Sequence, residues 1–221
     1  MKIIFCDLNT ALCENVKILC LNLGLTSKQV EVHSKKFQEL ESFDAIVAAG
    51  NSFGIMSGGI DLHIKEFFDE KRFSRSPSHE LDEFSVQSFV KKKIDDEYLS
   101  ELPVGSSIVV DTYVDEHPFI IYAPTMRAPM FLDPTNNNVY NSTLSAVTTI
   151  AKHNATHEKK IETVVFSGMG TGTGFYPLDK TARQMVFAFM KLLSPEFNNR
   201  LPLAYEIARS YQLGIADLYE S

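Results

Sequence analysis

FDAIVAAGNSFGIMSGGID, residues 43–61, is the stretch that decides the fold. Residues 45–49 are apolar at every position, and this predicts a short strand that is covered on both faces of a sheet. Glycines interrupt the residues that follow, and a helical pattern begins at Ile60, with apolar residues at 60, 64, 67 and 68. A buried strand, a glycine-punctuated loop and a helix in this order place polar side chains and free N–H groups at the carboxyl end of a strand, where α/β proteins bind ligands.

Strands and helices alternate through the rest of the chain. Strands are predicted at 2–6, 30–33, 108–111, 119–123 and 163–166. Helices are predicted between a cap at Asn9 or Thr10 and Gly24, at 82–99 after a polar loop at 73–78, from about 138 to 153, and after Pro177. Residues 115–118 predict a hairpin, so at least one strand pair is antiparallel. The pattern predicts an α/β fold in which helices cover both faces of a mixed sheet.

Composition limits the classes of function. No Pro/Gly/Ser-rich linker divides the chain, which favours one domain across residues 1–221 with a closing helix and tail at 194–221. The net charge of −7 argues against a nucleic acid or an anionic membrane as partner, although backbone N–H groups still suit a small anionic ligand. With no membrane-length apolar run and no signal peptide, we expect a soluble, cytoplasmic protein. The sequence carries no signal for an oligomeric state.

Three cysteines, Cys6, Cys13 and Cys20, lie near the start of the chain. Their number is odd, and neither a Cys-x-x-Cys motif nor a nearby His pair accompanies them. We therefore interpret them as small buried hydrophobic residues, and we expect neither a disulfide framework nor a zinc site. No metal and no cofactor is expected.

A second glycine loop, SGMGTGTG at residues 167–174, follows the strand at 163–166. Its glycines stand at every second position ahead of a helix, which is typical of a nest of N–H groups for a phosphate or diphosphate. No Gly-Lys-Ser/Thr follows, which excludes a P-loop, and the spacing does not satisfy G-x-G-x-x-G. The alternative is a tight strand-to-helix connection without a ligand.

The two glycine loops together resemble the signatures of the macrodomain family. The matching residues are 43–47, Asn51, 58–61, 122–124, 164–166 and 176–177. The family's usual N-A-A-N turn reads Ala48-Ala49-Gly50-Asn51 here, and its four-glycine run is shortened to Ser57-Gly58-Gly59. The resemblance covers residues 2 to about 193, and it implies a three-layer α/β/α fold with a mixed central sheet that binds ADP-ribose.

The resemblance also implies a ligand site. It makes Asn51 and Asp61 the expected catalytic pair: the Asn51 amide suits two ribose hydroxyls, and Asp61 orients or deprotonates a water beside the anomeric carbon. The helix N-terminus is expected to keep Asp61 ionised. Asp7 resembles the aspartate that receives the adenine amino group. The expected ligand-binding residues are Asp7, Leu8, Asn51, Gly58, Gly59, Ile60, Pro124, Ser167, Gly168, Gly170, Thr171, Gly172, Thr173, Gly174, Phe175 and Tyr176.

Several of these side chains have a structural alternative. Capping a helix is an alternative role for Asp61, and for Asp7 it is about as well supported as the contact with adenine. Phe175 and Tyr176 suit either the ligand or ordinary core packing. Arg127 suits a phosphate, although a lone loop arginine is more often solvated.

The expected function is binding of ADP-ribose or a derivative and hydrolysis of a bond at its distal ribose, in ADP-ribosylated protein or ADP-ribose 1″-phosphate. The Asn51–Asp61 pair favours an enzyme. The missing asparagine and the shortened glycine run favour a non-catalytic ADP-ribose reader. A sugar-nucleotide sensor is the third alternative.

Overall fold

The structure, a computed structural model, describes residues 1–73 and 85–194. Its strands form one six-stranded sheet in the order β2-β1-β6-β3-β5-β4. All neighbouring strands are parallel except β4 and β5, which pair antiparallel as the predicted hairpin requires. The strands are β1 Lys2–Cys6, β2 Val30–His33, β3 Ala45–Ala48, β4 Ile108–Asp111, β5 Phe119–Tyr122 and β6 Thr163–Phe166.

Helices cover both faces of this sheet. They are α1 Thr10–Asn22, α2 Gly59–Phe73, α3 Val86–Tyr98, α4 Asn138–Thr156 and α5 Leu178–Leu193, with a short 3₁₀ turn at Phe37–Glu39. Ile3 and Phe5 of β1 point into a core shared with α1, α4 and α5. Ile4 of the same strand points into a second core, shared with α2 and α3. Side chains alternate between the faces of a strand, so the two cores are the two interfaces of a three-layer α/β/α fold, as predicted.

Helix ends differ from the predictions in places. The side chain of Asn9 accepts a hydrogen bond from the backbone N–H of Leu12, so Asn9 caps α1 and the capping alternative for Asp7 is wrong. Helix α2 begins at Gly59 and continues to Phe73, beyond the last predicted apolar position at 68. The predicted loop at 73–78, the start of the helix predicted at 82 and the predicted closing helix and tail lie almost entirely outside the described residues.

The three cysteines are buried and unpaired, as predicted. Burial raises the pKa of the Cys6 thiol to about 11 and that of Cys20 to about 12, so both are neutral at physiological pH. Within residues 1–73 and 85–194, no helix is long and apolar enough to cross a membrane.

The parallel strands bring five loops to one edge of the sheet. β2, β1, β6, β3 and β5 run in the same direction, so the loops after their carboxyl ends meet there. Such an edge is where an open α/β sheet binds its ligand. Both glycine loops, after β3 and after β6, lie at this edge.

Candidate functional site

A cleft of about 530 Å³ opens at the carboxyl edge of the sheet. This volume lies within the usual range of small-molecule sites. Its walls come from the loops that follow all five parallel strands and from the first turn of α2. Fourteen expected site residues line it: Asp7, Leu8, Asn51, Gly58, Gly59, Ile60, Asp61, Ser167, Gly168, Gly170, Thr171, Gly172, Thr173 and Gly174.

Three expected ligand contacts do not line the cleft. Tyr176 is only 2% exposed and packs in the core, where its hydroxyl donates to the carbonyl of Asn136 and accepts from Gln184 Nε2. Its assignment as a ligand contact is therefore corrected to the packing alternative. Pro124 is buried, and its carbonyl accepts a hydrogen bond from the hydroxyl of Ser142. Phe175 is 72% exposed and packs edge-on against Phe131.

Several residues that line the cleft were not predicted from the sequence. The loop after β2 was not assigned to the cleft, because the order of the strands in a sheet cannot be read from the hydrophobic pattern alone. Its Lys35 and Lys36 add two positive charges to the wall. The further lining residues that were not expected are Cys6, Phe37, Gln38, Ala49, Gly50, Ile55, Ser57, His63, Thr125, Met126 and Pro129.

The loop after β6 presents unpaired backbone N–H groups. Gly170 has a φ of +76°, and a Cβ on Gly174 would stand 2.5 Å from the Gly170 carbonyl oxygen, so both positions need glycine. The turn is closed by the N–H of Tyr176, which donates to Gly170 O. Within the described parts of the chain, the N–H groups of residues 170–174 have no acceptor. A run of such donors in a concave loop suits an anion.

The first turn of α2 also lines the cleft, through Gly58, Gly59, Ile60 and Asp61. The first N–H groups of any helix lack an acceptor in the preceding turn, and the helix dipole adds positive potential there. The cleft is thus bordered by two sets of backbone donors. No side-chain cation is required for an anion to bind between them.

Gly168 and Asp7 join the loops after β1 and β6. The Asp7 carboxylate accepts the N–H of Gly168 at 2.8 Å through one oxygen and the N–H of Asn9 at 2.8 Å through the other. A Cβ on Gly168 would overlap a methyl group of Leu12 and stand 3.1 Å from Asp7 Oδ2. Asp7 therefore fixes the spacing of the two loops, and its contact with adenine stays a prediction.

Asp61 lines the cleft and is only 6% exposed. Its Oδ1 atom is buried and has no hydrogen-bond partner among the described residues. Burial raises the pKa of this carboxyl from 3.8 to about 7. The expectation that the helix N-terminus keeps Asp61 ionised is therefore wrong near neutral pH, because desolvation outweighs the dipole. The group exchanges its proton in the physiological range.

Asp61 also makes stability depend on pH. The pKa of about 7 in the folded protein exceeds the unfolded value near 3.8, so the folded state holds the proton more tightly. Stability from this group is complete below about pH 4 and is lost as pH rises from there to about 7, by up to about 1.4 kcal/mol per pH unit. We expect Asp61→Asn to remove this slope. The free energy of unfolding of the variant, relative to that of the wild type, should therefore increase from pH 5 to pH 8. Urea unfolding at both pH values measures the difference, and parallel slopes in the two proteins would contradict it.

Tyr122 and Gly50 lie next to the Asp61 carboxyl. The Tyr122 hydroxyl donates to Asn51 O at 2.9 Å and accepts from Asn51 N at 3.1 Å. A Cβ on Gly50 would overlap this hydroxyl and stand 2.7 Å from Asp61 Oδ2. The tyrosine hydroxyl thus occupies the space of a side chain at position 50. This accounts for the glycine that stands there in place of alanine in the N-A-A-N turn.

We expect Gly50→Ala to destabilise the protein by about 1–3 kcal/mol, the usual cost of forcing a methyl group into a packed site. Gly58→Ala is the matched control, because a Cβ there meets no atom within 4 Å. Thermal unfolding of both variants is the measurement. Equal unfolding temperatures for the two variants would contradict this prediction, because the loop would then accommodate a methyl group at Gly50 without a loss of stability.

The side chain of Asn51 is engaged in its own loop. Its Nδ2 donates to Ile55 O at 2.8 Å, and its Oδ1 accepts the N–H groups of Phe53 and Ile55 at 3.1 and 3.3 Å. These contacts shape the turn that carries the first glycine loop. The amide keeps one N–H that these bonds do not use, and its contact with a ribose stays a prediction.

Arg127 lies outside the cleft lining. Its Nε and one terminal nitrogen donate to the two carboxylate oxygens of Glu101 at 2.6 and 3.0 Å. The guanidinium therefore ties the loop after β5 to the loop after α3, and the suggestion that it meets a phosphate is corrected. His63 does line the cleft, where its side chain is exposed and its Nδ1 atom lies 3.4 Å from Glu66 Oε2.

Comparisons with solved structures give the fold. The macrodomain of Mycobacterium tuberculosis DarG is 21% identical, with a TM-score of 0.55 over 73% of this chain and 90% of that chain. The Oceanobacillus iheyensis macrodomain, solved with ADP, is 19% identical, with a TM-score of 0.50 over 81% of this chain and 86% of that chain. An uncharacterized protein of Aquifex aeolicus is 28% identical over 143 residues, which is 65% of this chain and 70% of that protein.

A family model of the macro-like domain matches residues 41–205. The match begins before β3 and includes both glycine loops, helix α2, which carries Asp61, and strand β5, which carries Tyr122. It leaves β1, β2 and the loops after them, which supply Asp7, Lys35 and Lys36, outside the matched segment. The matched segment exceeds half of the chain, and the chain belongs to the macro-like domain family.

Proposed function

We propose that the cleft binds ADP-ribose or a close derivative and that the protein hydrolyses a bond at the distal ribose. The observation that carries the proposal is the arrangement of three groups around one cleft: the N–H nest at 170–174, the first turn of α2, and the buried, unpartnered Asp61 carboxyl. A nest of backbone donors suits a diphosphate. A protonatable carboxyl suits the sugar end, where a bond is to be broken.

The diphosphate is proposed to lie on the loop after β6. Its charge is then met by N–H groups from two walls, and Lys35 and Lys36 at the cleft wall add favourable potential. The macrodomain of O. iheyensis, which shares this fold, has been solved with ADP. Asp7 already accepts one N–H on each oxygen, and a carboxylate oxygen has capacity for a further donor such as the adenine amino group.

Asp61 is proposed to act as the general base toward the attacking water. A pKa of about 7 matches this task, because proton transfer is fastest when the group titrates near the working pH. The carboxyl has an unused oxygen, so a water at the floor of the cleft has an acceptor. Asn51 is proposed to hold the loop in place and to meet the ribose through its remaining N–H.

A non-catalytic ADP-ribose reader is the second candidate. Its supporting observation is the Asn51 amide, whose oxygen is already engaged by two backbone N–H groups and has little capacity for a ribose hydroxyl. The two candidates predict the same affinity for ADP-ribose and differ in turnover. A sugar-nucleotide sensor would instead prefer a nucleotide with another sugar.

Calorimetric titration with ADP-ribose, ADP and UDP-glucose, followed by assays of release from ADP-ribosylated protein and from ADP-ribose 1″-phosphate, tests the proposal. We expect ADP-ribose to bind most tightly and at least one of the two substrates to be cleaved. Binding without cleavage would favour the reader. Preference for UDP-glucose would favour the sensor.

A further inference from the structure

The four glycine carbonyls of the loop after β6 all accept hydrogen bonds from the protein. Three accept from the loop itself or from the residues directly after it, each at 3.1 Å: Gly168 O from the Thr171 hydroxyl, Gly170 O from the Tyr176 N–H and Gly172 O from the Phe175 N–H. The fourth, Gly174 O, accepts from another loop, because the N–H of Leu132 donates to it at 2.9 Å. The conformation at Gly174 is therefore secured from outside the loop.

The direction of these carbonyls decides which partial charge the loop presents to the cleft. A carbonyl oxygen carries partial negative charge, and one that pointed into the cleft would repel a diphosphate. Glycine accepts φ values of either sign, so its peptide groups reorient at little cost unless they are bonded. The bond from Leu132 thus keeps the Gly174 carbonyl turned away from the N–H groups that are proposed to hold the anion.

The side chain of Leu132 packs against the same loop. It is only 7% exposed, and the residue is not part of the cleft lining. A Cβ on Gly170 would stand 2.9 Å from Leu132 Cδ1, and a Cβ on Gly174 would stand 3.0 Å from the same atom. Leu132 therefore fills the space beside both glycines, which are the first and the last residue of the nest at 170–174.

Leu132 lies in the loop after β5, which has its own anchors. This loop lines the cleft through Thr125, Met126 and Pro129. Arg127, within the same loop, donates to both carboxylate oxygens of Glu101. An anchored segment from a different strand thus contacts the nest through both a backbone donor and a buried side chain.

We propose that Leu132 is a positioning residue for the diphosphate: its N–H and its side chain hold the loop after β6 in the conformation that keeps the glycine carbonyls bonded and the N–H groups available to the anion. The inference rests on the proposed function of the cleft. Leu132 acts through Gly170 and Gly174 and does not touch the ligand. Its effect extends to any ligand that carries the diphosphate, whatever sugar follows.

Leu132→Ala tests the side chain, with Leu25→Ala as the matched control. Leu25 is 4% exposed, belongs to the same hydrophobic core and does not line the cleft. Both substitutions leave a cavity, so we expect both to lower the unfolding temperature. Only Leu132→Ala should weaken the binding of ADP-ribose and of ADP, by about tenfold each. Leu132→Met, which nearly conserves the volume, should restore both affinities.

Replacement of Leu132 by its α-hydroxy acid tests the N–H alone, because the resulting ester keeps the side chain. The same replacement at Leu25 is the control, since the Leu25 N–H also donates at 2.9 Å, to Cys20 O. We expect the ester at 132 to shift the amide ¹H–¹⁵N signals of residues 170–174 in the ligand-free protein and to weaken ADP-ribose binding about tenfold. The ester at 25 should leave those signals and that affinity unchanged.

Three results would overturn the inference while the proposed function stands. One is a pair of folded Leu132 variants, alanine and ester, that bind ADP-ribose as the wild type does. Another is an equal loss of affinity in the Leu25 variants, which would indicate a general loosening of the core. The third is weakened binding of ADP-ribose with unchanged binding of ADP, which would place the effect at the distal sugar. Wild-type protein that binds neither nucleotide would overturn the proposed function as well.

Discussion

Gly172→Glu is expected to weaken ADP-ribose binding on the order of a hundredfold or more while leaving the unfolding temperature unchanged. A Cβ at Gly172 meets no atom within 4 Å, and the residue has an ordinary backbone conformation, so the folded protein accepts a side chain there. The new carboxylate would stand in the N–H nest that is proposed to hold the diphosphate. Two like charges about 4 Å apart near a protein surface repel by roughly 4 kcal/mol.

Two further variants separate charge from bulk. Gly172→Gln carries a side chain of the same length without the charge, and we expect a smaller loss of affinity than with glutamate. Gly172→Ala tests the backbone alone, and we expect a change within about 0.5 kcal/mol. Calorimetric titration in low salt gives all three values. A folded glutamate variant that binds ADP-ribose normally would exclude this loop as the phosphate site.

Asp61→Asn is expected to lower turnover by about 10²- to 10⁴-fold, the usual contribution of a general base. Asparagine has nearly the same shape but cannot take up a proton, so the support from Gly50 and Tyr122 remains. Affinity for ADP-ribose should change far less, because the diphosphate contacts are elsewhere in the cleft. Single-turnover release measurements separate the chemical step from binding.

The pH profile gives an independent check on Asp61. With a pKa of about 7, the wild-type carboxyl is the base only in its ionised form, so the rate of the chemical step should rise through neutral pH. The residual activity of Asp61→Asn should not show this rise. Activity that survives the substitution unchanged would transfer the chemistry to another group, such as a phosphate of the substrate itself.

Much of the fold follows from hydrophobic pattern. Each predicted strand is present, since short apolar runs bounded by turn residues leave few alternatives to a buried parallel sheet. The pairing of β4 with β5 followed from the short connection between them. The order of the strands did not follow, because parallel neighbours are distant in sequence. For that reason the loop that carries Lys35 and Lys36 was not assigned to the cleft.

The site was predicted where backbone chemistry decides it. Glycine loops after strands identify N–H donors, and both loops line the cleft. The positions of individual side chains were harder to predict, because one change in the direction of the backbone moves a side chain between the cleft and the core. The side chain of Tyr176 lies in the core, because its backbone N–H donates to Gly170 O and its hydroxyl donates to Asn136 O. For Asp61, the sequence reveals the helix N-terminus but not the burial that raises its pKa.

The most direct test of the central claim, that the cleft binds ADP-ribose through its diphosphate, is amide ¹H–¹⁵N NMR during titration with ADP-ribose, with adenosine as the control ligand. We expect the amide signals of residues 170–174 and of Gly59, Ile60 and Asp61 to shift with ADP-ribose, because their N–H groups acquire an acceptor. Adenosine, which carries no phosphate, should leave the signals of 170–174 in place. Saturation with ADP-ribose that leaves the amide signals of 170–174 unchanged would contradict the account.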